Sequence, residues 1–213
     1  MTGREGIAAL ILCAGRSTRM GTPKALLPLG TECALERIVR LFRTCGVEKI
    51  LAVTGHEAER IAPVLTACGV PCVQNADYDR GMFSSLQTGA ARLQGLCRAF
   101  FVLPADIPLV RPETLRLLMN AFAEGKILAC RPSFGGRRGH PPLLARELIA
   151  PILSFSRPGG LRALLADSAA SVVDVACDDP GILLDLDAPE DYAEALRLLH
   201  NLPGGSPIAP RNG

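Results

Sequence analysis

Ile7–Ala14 is an unbroken apolar run of eight residues, and Gly15 ends it. A run of that length, with no polar alternation, predicts a strand buried on both faces of a parallel sheet. Beyond it, Leu35, Ile38, Val39 and Phe42 recur at helical spacing, which predicts a helix over Ala34–Cys45 with its stop at Gly46. Lys49–Thr54 reads as a second strand, Glu57–Cys68 as a helix closed by Gly69, and Pro71–Gln74 as a short third strand. A polar loop, Asn75–Met82, leads into a helix over Ser84–Leu96, and Ala99–Leu103 is a fourth strand ending in the turn Pro104–Pro108.

Pro112 and Glu113 mark the start of the next helix, whose stripe is Leu115, Leu118, Met119 and Phe122 and whose end is Gly125. Ile127–Cys130 is a fifth strand. The Gly- and Arg-rich stretch Arg131–Pro142 reads as a mobile loop. Glu147–Leu153 and Gly160–Ala166 are short helical pieces, and strands are expected near Val172–Ala176 and Ile182–Leu186. A last helix begins at Pro189 and buries Tyr192, Ala195, Leu196 and Leu199. Alternating strands and helices imply an α/β fold, three-layer α/β/α with a mostly parallel, Rossmann-like sheet, whose active site lies beyond the carboxyl ends of the strands. Residues 1–200 suffice for a single domain, and 201–213, with three prolines and three glycines, read as a flexible tail.

Composition narrows the function classes. Apolar residues make up 48% of the chain and the formal charge is only +2, with no Lys/Arg-rich run, which argues against a nucleic-acid partner. The eight cysteines are scattered without a C-x-x-C, and only three histidines are present, so a zinc site is not expected and a reducing cytoplasm is. Arg4 is cancelled by Glu5, and bulky Leu12 precedes Cys13, which argues against a processed leader. No apolar stretch reaches the roughly 18 residues of a membrane span.

The chemistry lies in the loop after the first strand. Lys24 follows Pro23 and precedes Ala25, so the loop is not a P-loop, and there is no G-x-G-x-x-G. The spacing is L-x-A-G-x-S-x-R-M-G-x-x-K, filled by Leu12, Ala14, Gly15, Ser17, Arg19, Met20, Gly21 and Lys24. Two glycines and the cations Arg16, Arg19 and Lys24, set directly after a buried strand, suit a polyphosphate. Asp106 stands in the turn after the fourth strand, either as a turn former or as a magnesium ligand. Asp185 and Asp187 would point the same way along a strand. With Pro189 at the first helical position the cap falls on Ala188, one residue past Asp187. Ser84 and Ser85 sit near a helix start at Gly81, as plain caps or as donors to an anion. His140 follows Arg137 and Arg138 in an electropositive run that could cover a phosphorylated acceptor.

The loop pattern resembles the MobA-like nucleoside-triphosphate transferase family, which includes the molybdenum-cofactor nucleotidyltransferases and whose fold is similar to the A-type nucleotide-diphospho-sugar transferases. Asn75–Leu86 (NADYDRGMFSSL), Leu103–Val110 (LPADIPLV), Gly139–Leu144 (GHPPLL) and Leu184–Tyr192 (LDLDAPEDY) extend the resemblance over about residues 7–200. It implies metal ligation by Asp106 and Asp187, with Asp185 the weaker candidate, and Mg2+ as the cofactor. It also implies nucleotide binding by Leu12, Ala14, Gly15, Arg16, Arg19, Lys24, Gly81, Ser84 and Ser85, and acceptor binding by His140. Arg19, Lys24 and Asp106 would be catalytic. The expected reaction is attack by an acceptor phosphate on the α-phosphorus of a nucleoside triphosphate, releasing pyrophosphate, which needs no strong general base.

Ala14-Gly15, where guanylyl members have two glycines, together with G-M-x-S-S, resembles the cytidylyl enzymes. CTP is therefore the favoured donor and molybdopterin the favoured acceptor, with a molybdoenzyme or its chaperone as a transient partner. A sugar phosphate or other phosphorylated acceptor, or a non-catalytic cofactor carrier, are the alternatives: a wide groove near His140 suits a pterin, a tight polar pocket a sugar.

Overall fold

The computed structural model describes residues 6–16, 21–125 and 127–200. The elements follow in chain order: β1 (Ile7–Cys13), the small hairpin β2 (Pro28–Leu29) and β3 (Glu32–Cys33), α1 (Ala34–Thr44), β4 (Lys49–Thr54), α2 (Ala58–Ala67), β5 (Cys72–Gln74), α3 (Met82–Leu93) and β6 (Ala99–Pro104). Then come α4 (Pro112–Ala123), β7 (Ala129–Phe134), β8 (Arg137–Arg138), β9 (Leu143–Ala145), α5 (Ile149–Ser154), α6 (Gly160–Asp167), β10 (Val172–Ala176) and α7 (Pro189–His200). The main sheet runs β5-β4-β1-β6-β9-β7-β10, with β8 added beside β7. It is mostly parallel; β9 runs antiparallel to both β6 and β7. The three-layer α/β reading holds.

β1 lies at the middle of the sheet between two parallel neighbours, β4 and β6, and is buried at all seven positions. Its side chains still alternate. Ile7, Ala9, Ile11 and Cys13 enter one core with Leu35, Phe42 and Leu115, while Ala8, Leu10 and Leu12 enter the other with Leu86, Leu93 and Ile152. An unbroken apolar run is what a strand covered by helices on both faces requires. Helix α3 approaches that strand so closely that a Cβ on Gly89 would sit 2.3 Å from Leu10 Cδ1 and 2.9 Å from its Cγ. Alanine in a helix is ordinarily the better residue by about 1 kcal/mol. Here the order is expected to reverse: Gly89→Ala should lower stability by about 1–3 kcal/mol in denaturant melts, because Leu10 is fully buried and has nowhere to move.

Two expectations fail. The first part of Arg131–Pro142 is a hairpin: Gly135 and Gly136, with φ of 55° and 76°, turn the chain between Phe134 and Arg137, and β8 pairs back onto β7. Two positive-φ residues between paired strands make a hairpin turn that glycine adopts without strain. The arginines are anchored too, since Arg131 and Arg138 both bond to Asp174 of β10, at 2.8 and 2.9 Å. Leu143–Ala145, read as no element in the sequence, becomes the antiparallel strand β9.

Ile182–Leu186 is the second correction. Pro180–Leu183 is a 3-10 turn, and the chain beyond it is irregular. The buried carboxylate of Asp179 accepts from Gly181 N, Arg111 N and Thr114 Oγ1 at 3.0, 2.8 and 2.7 Å. That network ties the segment to the start of α4 and replaces the ladder of a strand. No described helix is long and apolar enough to cross a membrane.

Candidate active site

The carboxyl ends of β1 and β6 are joined by Ala105 N donating to Leu12 O at 3.0 Å, and Leu186 N donates to Asp106 O at 2.8 Å. The second bond brings Asp187 to the end of β6. A small apolar cluster of Leu27, Leu29, Leu109, Leu186 and Ala195 fixes the turn carrying Lys24, the turn carrying Asp106 and helix α7 to one another. Tyr192 Oη donates to Pro28 O at 2.6 Å across the same junction. Asp191 Oδ2 accepts from the backbone N–H of Asp187 and Ala188, at 3.1 and 2.7 Å, and so caps α7 from within its first turn. Capping therefore does not occupy the Asp187 carboxylate.

Lys24 Nζ donates to Asp106 Oδ2 at 3.3 Å and to Asp187 Oδ1 in closer contact. Burial works against its charge, but the hydrogen bond to Asp187 and the fields of Asp106 and Asp187 outweigh it and hold the lysine above its ordinary value. One cation thus bridges two carboxylates drawn from segments 81 residues apart in sequence, from Asp106 to Asp187. Two oxygens facing one position suit a divalent ion completed by phosphate oxygens and water, since magnesium is ordinarily held by one or two carboxylates plus substrate. Among the described residues there is no cluster of three or more His, Cys, Asp or Glu. Cys13, beside this site, is an inert core thiol whose ionisation is pushed far up by burial, with a smaller contribution from Asp106.

Two clefts meet over the strand ends. The first, of about 350 Å³, is lined by Ala14, Gly15, Arg16, Lys24, Gly81, Ser85 and Asp106 among others. The second, of about 600 Å³, contains His140 with Arg131, Arg138 and Arg162 above an apolar lining. Leu12 and Met82 border both. The structure therefore gathers nearly all the site residues named from the sequence, in two groups.

Several placements differ in detail from simple expectation. Arg16 is held in a two-pronged pair with Asp79 at 2.9 and 3.0 Å, and its guanidinium lies 5.7 Å from the Tyr78 ring centre. Ser84 is buried in structure: its hydroxyl accepts from Asn75 Nδ2 at 2.9 Å and lies within hydrogen-bonding reach of Gly81 O and Asp77 O. Ser85 accepts from the same amide at 3.0 Å but faces the first cleft. Asp185 is exposed and acts on His140 through its field, not on Lys24. The His140 ring is pushed towards neutrality by burial, and among the described residues its Nδ1 has no hydrogen-bond partner. Arg19 and Ser17 lie outside the described residues.

Sequence reasoning assigned no role to Asn75, Asp79, Met82 or Arg162. The first three stand inside NADYDRGMFSSL, so the segment was visible while its individual contacts were not. Nothing in one sequence marks Arg162, which reaches the second cleft only because α6 packs beside α3.

The sequence profile of the MobA-like NTP transferase domain matches residues 9–175. A phosphoenolpyruvate guanylyltransferase of Rubrobacter xylanophilus is 31% identical over 188 residues, covering 84% of this chain and 86% of that one. The molybdenum cofactor cytidylyltransferase of Escherichia coli is 25% identical over 193 residues, covering 90% and 96%. Other relatives are much longer: the chain spans 29% of a bifunctional IPC transferase and DIPP synthase of Rubrobacter xylanophilus, with 37% identity over 134 residues, 60% of this chain. Among solved structures, a nucleotidyl transferase from Methanothermobacter thermautotroptrophicus superposes with a TM-score of 0.76 at 26% identity, covering 91% of this chain and 99% of that one. A manganese complex of Rv0371C from Mycobacterium tuberculosis superposes at 0.72 and 23% identity, covering 90% and 98%. On the profile match across most of its length, this chain belongs to the MobA-like NTP transferase domain family.

Proposed function

We propose that the protein transfers CMP from CTP to the phosphate of molybdopterin, releasing pyrophosphate. The observation that carries the reading is Lys24 held between Asp106 and Asp187 at the wall of the first cleft. In the proposed reaction an oxygen of the acceptor phosphate forms a bond to the α-phosphorus, and the bond from that phosphorus to the β-phosphate oxygen breaks. The electron pair leaves with pyrophosphate. A phosphate monoester is ionised at neutral pH, so positioning and charge neutralisation suffice.

Each residue then has a task. The nucleotide lies in the first cleft, with its phosphates against Gly15, the start of α3 at Gly81 and the Ser85 hydroxyl. Lys24 stabilises charge developing at the α-phosphate. Arg19 holds the departing pyrophosphate, with Arg16, paired to Asp79 in the free protein, in a secondary part. Asp106 and Asp187 would hold magnesium, which supplies Lewis-acid neutralisation of the phosphate oxygens. The manganese complex of a structural neighbour supports a divalent ion.

Ala14, where guanylyl enzymes of the family carry glycine, lines the first cleft and favours CTP over a purine nucleotide. The second cleft, roomy and lined by Phe83, Leu86 and Leu165, favours a ring-bearing acceptor over a sugar phosphate. The guanylyl relative motivates a second reading, GTP with a small anionic acceptor. The decisive assay is pyrophosphate release with magnesium, each of four nucleoside triphosphates, and either molybdopterin or a sugar phosphate. Release with CTP and molybdopterin is expected; release with GTP alone would overturn the donor, and none with any pair would overturn the transferase reading.

A further inference from the structure

The second cleft carries more positive charge than its own carboxylates neutralise. Arg131 and Arg138 share one partner, Asp174, at 2.8 and 2.9 Å. Arg162 lines the same cleft at its solvent-exposed rim, and among the described residues it has no carboxylate within ion-pair distance. It stands in the first turn of α6, which starts at Gly160 against the Phe83 ring at about 3.3 Å from an ideal Cβ. Around these cations the wall is apolar, supplied by Phe83, Leu86 and Leu165. His140 adds a buried ring nitrogen, Nδ1, that has no partner among the described residues.

None of this serves the reacting phosphate, which belongs beside Lys24 and Asp106 in the other cleft. A cation left unpaired at an apolar wall suits a ligand that brings both a flat apolar body and a negative group of its own. We infer that Arg162 is a specificity-determining residue: it pairs with a second anionic group on the acceptor, remote from the phosphate that reacts. The acceptor class is then a phosphomonoester built on a ring-sized heterocycle with a further negative substituent. The inference rests on the second cleft being the acceptor side of the proposed reaction. A neutral polyol phosphate would leave Arg162 without a partner and the apolar wall without a contact.

The test separates this claim from the transferase reading by measuring binding alone. Pterin-6-carboxylate and the neutral 6-methylpterin are fluorescent rings of the right size, and neither carries a phosphate. In fluorescence titrations with the full chain, the carboxylate is expected to bind about tenfold more tightly than the neutral ring, the scale of one charge-assisted hydrogen bond. Arg162→Ala should erase that preference while leaving the affinity for 6-methylpterin unchanged, and Arg162→Lys should restore part of it. Equal binding of the two probes, a preference that survives in Arg162→Ala, or no binding of either would overturn the inference. If the preference is found but no nucleotide gives pyrophosphate, the anion site stands and the transferase reading falls.

Discussion

Asp106→Asn is expected to lower pyrophosphate release by about 10³-fold with little change in stability. The side chain keeps its shape but loses the negative charge that both Lys24 and a divalent ion would answer. Its backbone carbonyl still accepts from Leu186 N at 2.8 Å, so the junction that delivers Asp187 survives. Lys24 keeps its contact with Asp187. The Asp106 side chain is 28% exposed, and loss of one partly solvated ion pair should cost about 1 kcal/mol or less. A coupled pyrophosphate assay beside a thermal melt checks both halves. Full turnover in the variant would remove Asp106 from the chemistry, whereas a collapsed melt would make it structural.

Lys24→Met should act in two opposite directions. Turnover is expected to fall by about 10²-fold or more, because the cation that the proposed reaction sets at the α-phosphate is lost and methionine only fills its space. Divalent-ion affinity of the nucleotide-free protein is expected to rise, because the lysine no longer occupies the position between the Asp106 and Asp187 carboxylates. Manganese titration followed by electron paramagnetic resonance would measure this, and unchanged or weaker affinity would count against the two carboxylates as the metal site.

Stability has a definite pH sign as well. The lysine is held above its ordinary value in the folded chain, so its contribution is complete below the unfolded-state value near 10.4 and disappears as pH rises through the folded value. Lys24→Met should therefore lose about 1 kcal/mol at neutral pH and show a flatter decline in alkali than the natural protein. A parallel alkaline decline in both would show that the bridge does not stabilise the fold.

The two variants separate roles that the loop alone confounds. Asp106→Asn removes a ligand and keeps the cation; Lys24→Met removes the cation and keeps the ligands. Opposite movement of metal affinity in the two would be hard to reconcile with a purely structural ion-pair cluster.

Much of this was legible in one dimension. The apolar run Ile7–Ala14 is unbroken because a central parallel strand meets helices on both faces, and a rule about burial on two sides reads directly off the chain. Leu35, Ile38, Val39 and Phe42 face one core for the same kind of reason, a local period set by backbone geometry. Where the expectations failed, long-range pairing decided. The Gly- and Arg-rich stretch Arg131–Pro142 reads as a mobile loop until Asp174, on a strand 36 residues beyond Arg138, anchors Arg131 and Arg138. Ile182–Leu186 has the composition of a strand, but the buried Asp179 network and single bonds from His140 N to Ile182 O and from Leu186 N to Asp106 O set its course.

The candidate site divides along the same line. Sequence alone determined that a glycine- and cation-rich loop follows a buried strand, and that Asp106 and Asp187 stand where strands or turns meet loops, because residue type and spacing are properties of the chain. Tertiary structure decided that Lys24 lies between those two carboxylates, that Arg16 is held by Asp79, that Ser84 is spent on Asn75 while Ser85 faces the first cleft, and that Arg162 lines the second. Apart from the local Ser84–Asn75 bond, these facts are distances between segments far apart in sequence, and such distances exist only once the two cores on either side of β1 have closed.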